Sequence, residues 1–189
     1  MRGRKPPTRP AESARAKTRL HRGTATLIGI RAAAIAHRSM IRRKTQLDST
    51  GCGLACVAML GHVGYAQARS LARQLGIVPK APGEASGGTT LSRRKAYYTS
   101  ANELARMLRL LGARPGRERM LERTDALDGD GILGINPNPR DGSWHWVVYI
   151  HDDDGGYVLD PNPRVRSEHR TDLRRMRCRS FLPVAARAE

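Results

Sequence analysis

From Gly53 to Met59 every residue is apolar or glycine, so a helix over this stretch has no face to turn toward water. Such a helix belongs at the centre of a domain, and the rest of the chain has to enclose it. Gly61 is a natural stop. Next, Ala68, Leu71, Ala72 and Leu75 fall at i, i+3, i+4 and i+7, with Arg69 and Arg73 off that stripe. This spacing predicts an amphipathic helix ended by Gly76. Pro79–Thr90 reads as a loop rich in Pro, Gly and Ser. Ser100-Ala101-Asn102-Glu103 has the form of a capping box and opens a third helix. Its stripe is Leu104, Met107, Leu108 and Leu111, and Gly112 closes it.

Beyond Gly112 the period changes. Gly131–Ile135 is a short apolar run, followed by a turn-rich loop over Asn136–Gly142. His145–Ile150 is apolar on both faces, as in a central strand. Asp152–Gly156 reads as a tight turn, Tyr157–Asp160 as the returning strand, and Asn162 with Pro163 as a second turn. Phe181–Val184 reads as a last strand, which Pro183 would confine to a sheet edge. Helices first and strands afterwards indicate an α+β fold, a helical lobe packed on an antiparallel sheet.

The chain of 189 residues suits one domain plus a tail. Its formal net charge of +17 is unevenly placed. Residues 1–45 hold 13 of the 34 Lys and Arg with one acid, Glu12, which leaves +5 for the remainder. Residues 1–44 are therefore read as a basic, disordered extension, and residues 45–186 as the folded domain. Clustered arginine also fits an arm for nucleic acid or a membrane surface, although no aromatic interleaves it for base stacking. A third reading starts translation at Met40. No window approaches the roughly 18 apolar residues of a membrane span, so a cytoplasmic protein is expected. The cysteines, Cys52, Cys56 and Cys178, are too few and too odd in number for a disulfide framework.

Cys52 opens the central helix, six residues after Gln46. A helix N-terminus carries unpaired N–H groups and partial positive charge, which favour a thiolate, and the same groups with the Gln46 amide can hold an oxyanion. Gly51 and Gly53 flank the cysteine and leave its backbone open to a substrate, whereas Cys56, one turn on, reads as core. Among six histidines, only His145 starts an apolar strand straight after a loop. Asp160 ends the partner strand, where its carboxylate can orient the imidazole; Asn162 offers the same two residues later. Trp144 and Trp146 flank His145 and should face away from it, with Trp144 able to line a cleft at the strand edge. A zinc site from Cys52, Cys56 and His62 lacks a fourth ligand, and Asp152–Asp154 lacks the spaced ligands of a calcium loop. No cofactor is expected.

Three pieces together resemble the peptidases that remove double-glycine leaders from bacteriocin precursors, a branch of the papain-like superfamily. They are Gln46–Met59, His145-Trp146-Val147-Val148 and Val158-Leu159-Asp160-Pro161. The resemblance runs from about Gln46 to about Val184. It implies a papain-like fold and a thiol peptidase acting on a peptide or protein substrate. Cys52 would then be the nucleophile, His145 the general base and acid, Asp160 the orienting group and Gln46 an oxyanion donor. Gly51 stands where the family commonly has an acidic or polar residue. Members are often the N-terminal domain of an ABC transporter, and here a transporter would be a separate partner. Two other readings stand beside it: a papain-like amidase, deamidase or acyl transferase, and a non-catalytic protein that binds through its basic tail.

Overall fold

A computed structural model describes residues 41–79, 97–121, 127–153 and 155–185. The basic extension up to residue 40, Met40 as a start, the loop beyond Pro79, Asp154 and the domain's end at 186 lie outside the described residues. Helix α1 spans Cys52–Leu60 and buries all nine of its residues. It packs against α2 (Tyr65–Gln74), α3 (Ala101–Leu110) and strand β4 (His145–Ile150). No side chain caps its N-terminus, an omission worth about 1 kcal/mol. Burial of Leu54, Val57 and Met59 outweighs that, at roughly 1.5–3 kcal/mol for each large side chain. Helix α2 buries Tyr65, Ala68 and Ala72, with Leu71 and Leu75 packed at the margin of the core. Helix α3 opens with the expected capping box, in which the Glu103 N–H donates to Ser100 Oγ at 3.3 Å and the Ser100 N–H to Glu103 Oε2 at 2.8 Å.

The sheet is antiparallel throughout: β1 (Arg114–Pro115), β2 (Arg119–Met120), β3 (Gly131–Ile135), β4, β5 (Tyr157–Leu159) and β6 (Cys178–Ala185). Its order is β1-β6-β3-β4-β5, with β2 also on β6. Both faces are covered. Ile132, Trp146, Val148, Ile150, Leu159 and Leu182 pack toward the helices. Leu133, Ile135, Val147, Tyr149, Val158 and Phe181 form a second core with Leu127 and Met176 on the other face. Alternate residues of β4 thus enter different cores, which is why the strand reads as apolar without alternation. The α+β architecture expected from the sequence is the one observed: a helical lobe, its central helix carrying Cys52, packed on an antiparallel sheet.

Two expectations need correction. The last strand is not an edge; it runs between β3 and the short β1 and β2. Pro183 fits there because its carbonyl accepts the Gly116 N–H at 2.8 Å, so its nitrogen faces the same outer side, in the gap between β1 and β2. The inward bond toward β3 comes from the Val184 N–H, which donates to the Asp130 carbonyl at 2.9 Å. The domain boundary at residue 45 also falls too late. Ile41 is 4 % exposed and part of the main core. Arg43 and Lys44 bond to carbonyls of the folded unit, Lys44 Nζ reaching Ala58 at 2.9 Å.

Candidate active site

The 46–51 loop ends in Gly51, the N-cap of α1, so the first turn of that helix begins directly at Cys52. The Cys52 sulfur lies beside the start of β4, where the Trp146 main-chain N–H donates to it at 3.5 Å. On β4, His145 opens the strand opposite Ile135, while β5 pairs only as far as Val148 and leaves the ladder after Leu159. That divergence brings Asp160 back onto the imidazole, with His145 Nε2 and Asp160 Oδ1 2.7 Å apart. The Cys52 sulfur lies near enough to raise the proton affinity of the ring. Sulfur, imidazole and carboxylate are therefore gathered from α1, β4 and the segment after β5.

Asp160 is 2 % exposed, and its buried charge is fully engaged. Oδ1 also accepts the Asn162 main-chain N–H at 2.9 Å, and Oδ2 accepts Arg170 Nη1 at 2.6 Å. Burial alone would raise this carboxyl, but the bonds to His145, Asn162 and Arg170 hold it below the usual carboxylate range. Burial likewise disfavours the imidazolium of His145. Its hydrogen bond to Asp160, the nearby Cys52 sulfur and the charges on both override that and push it up to about 9. Asn162, the alternative partner of the imidazole, turns its side chain to the Arg164 N–H instead.

A cavity of about 280 Å³ opens over the sulfur. Gln46, Cys52, Trp144, His145 and Trp146 line it, with Tyr97 and Tyr98 on the side of α3. Both tryptophans share the cavity with His145 and meet edge to face at 5.4 Å, so the expected segregation onto opposite faces does not hold at this first strand position. Gln46 is bound more tightly than the sequence suggests. Its amide nitrogen donates to the carbonyls of Asp48 and Ser49, each at 3.0 Å, which tightens the loop leading to Cys52.

Gly51 and Gly53 do not line the cavity. A Cβ on Gly51 would lie 1.8 Å from the Tyr65 hydroxyl, and one on Gly53 would lie 2.0 Å from Thr99 Oγ1. Close packing accounts for both glycines, not an opening for a ligand. Cys56 is buried inside α1, and burial pushes its thiol well up. Among the described residues, no three His, Cys, Asp or Glu side chains gather as a metal ion would need.

Two arginines escape a sequence reading. Arg170 holds Asp160 Oδ2, and Arg43 donates through Nε to the Asp160 carbonyl at 2.6 Å and through Nη2 to the carbonyls of Asn162 and Val165 at 2.9 and 2.8 Å. Both sit in arginine-rich stretches, where each resembles another solvated charge.

The same architecture occurs in the peptidase domain of Streptococcus ComA, a bi-functional ABC transporter involved in a quorum-sensing pathway. The match covers 78% of this chain and 99% of that domain, with a TM-score of 0.51 and 16% sequence identity. The two share a fold. No protein-family model matches the sequence, and no curated protein does. Among the described residues, no helix is long and apolar enough to cross a membrane.

Proposed function

We propose that this chain is a thiol peptidase in which Cys52 is the nucleophile, His145 the proton carrier and Asp160 the group that orients the imidazole. The observation that carries the reading is the His145 ring, held by Asp160 Oδ1 at 2.7 Å and sharing one cavity with Cys52. An imidazole whose proton affinity is pushed up beside Asp160 supplies a positive partner for the thiolate as it forms. The sulfur attacks the peptide carbonyl carbon, a C–S bond forms, and the carbonyl electron pair moves to oxygen. That oxyanion meets the free N–H groups at the start of α1. Gln46 joins them as a donor if one of its loop bonds is exchanged for the substrate oxygen. As the C–N bond breaks, His145 gives its proton to the departing amine. It then takes one from water, whose oxygen attacks the acyl-enzyme and frees Cys52.

A peptide with a double-glycine leader is the substrate we favour, with a transporter as partner; the fold shared with a transporter's peptidase domain is in keeping with both. The deciding experiment is alkylation by iodoacetamide at neutral pH, mapped by mass spectrometry. Cys52 is expected to react well ahead of Cys178, whose half-buried thiol is raised by burial. If Cys52 is no faster than Cys178, the activated-thiol reading is wrong.

A further inference from the structure

We propose that Arg170 is a positioning residue that fixes the rotamer of Asp160, so that one carboxylate oxygen is always presented to His145; this rests on the peptidase reading above. A carboxylate turns easily about its terminal torsion, so a buried aspartate needs both oxygens held if one is to face a fixed target. Here Oδ1 takes His145 and the Asn162 N–H, and Oδ2 takes Arg170 Nη1. Losing the guanidinium would leave half of a buried charge without a partner, an arrangement a carboxylate relieves by rotating.

Arg170 is itself built to stay still. Its main chain exchanges both hydrogen bonds with Val158, N–H to carbonyl at 2.8 and 2.9 Å, which pins it beside β5 two residues before Asp160. The far side of its guanidinium grips Asp172, Nε on Oδ1 at 3.1 Å and Nη2 on Oδ2 at 3.0 Å. The planar group thus spans two carboxylates with three of its donors, which an ammonium cannot do. Arg43 in addition holds the Asp160 carbonyl. The result is an ordered line of Asp172, Arg170, Asp160 and His145, ending at the cavity that His145 shares with Cys52. Arg170 does not line the cavity. Its effect on the sulfur passes only through Asp160 and the imidazole.

The test uses the full chain with Arg170→Met, Arg170→Lys and Asp172→Asn, each read by the iodoacetamide rate at Cys52 relative to Cys178 in the same molecules. Arg170→Met is expected to slow Cys52 about tenfold or more, the usual scale for removing the group behind a site residue, with Cys178 unchanged. Arg170→Lys restores the charge but not the fork and falls between Met and wild type. A clasp that only holds the 160–172 segment together would show no such rescue. Arg170→Met at the wild-type rate, or Arg170→Lys as slow as Arg170→Met, overturns the proposal. Should Arg170→Met fail to show a melting transition, Asp172→Asn carries the test: it frees the fork without removing the arginine, and an unchanged Cys52 rate overturns the proposal. A slow Cys52 in the wild type would instead sink the peptidase reading itself, so the two failures are separable.

Discussion

The raised proton affinity of His145 has a measurable consequence for stability. Its ordinary value is near 6.5, and the folded site pushes it up to about 9. The folded state therefore favours the protonated ring. The associated stability is fully present below about pH 6.5 and is lost as pH rises through about 9. At about 1.4 kcal/mol per pKa unit, the window is worth about 3 kcal/mol, a large share of a domain's stability. His145 is only a quarter exposed, so solvent screening removes little of it. Urea melts followed by the fluorescence of Trp144 and Trp146, stepped from about pH 6 to about pH 9.5, compare wild type with His145→Gln. The wild type should lose about 3 kcal/mol more than the variant across that span. Cys52→Ser should shrink the difference, because the sulfur supplies part of the elevation. Parallel curves for wild type and His145→Gln would refute the reasoning.

Three further outcomes follow from distances already given. Asp160 is held below the usual carboxylate range, so its contribution is present above that range and fades as pH falls through the lowered value; Asp160→Asn should flatten the acid limb of the same urea profile. Gly53→Ala places a methyl 2.0 Å from Thr99 Oγ1 and 2.9 Å from Leu104 Cδ2. It should destabilise by about 1–3 kcal/mol, and an unchanged urea midpoint would show that the pocket around Gly53 can yield. Ser100→Ala removes the α3 cap and should cost about 1 kcal/mol in the same assay.

The helices were legible because their signals are local. The stripe of α2, the Ser100–Glu103 box and the unbroken apolarity of α1 each state a burial pattern within ten residues. Strand β4 was legible for the converse reason: its lack of alternation reports a sheet covered on both sides. Pro183 misled because the rule about edges concerns the direction of one missing N–H, and direction is set by a register with β1, β2 and β3 that no local pattern encodes. Two-residue strands such as β1 and β2 have no period to read. At the site, the sequence brought Cys52, His145 and Asp160 into view by order and element type. It did not reveal Arg43, which acts over 117 positions on a carbonyl. It misjudged Gly51 and Gly53, because a missing side chain looks alike whether the vacated space belongs to a ligand or to Tyr65 and Thr99.

The grip of Arg43 on the segment after β5 has an evolutionary side. Its three acceptors there are carbonyl oxygens, of Asp160, Asn162 and Val165, and every residue type supplies that atom. The side chains at 162 and 165 are therefore free to drift without loosening the clasp, provided the turn keeps its path. All the selective pressure from this contact falls on a single arginine far upstream. Among homologues, position 43 should hold arginine while the loop it grips diverges around it.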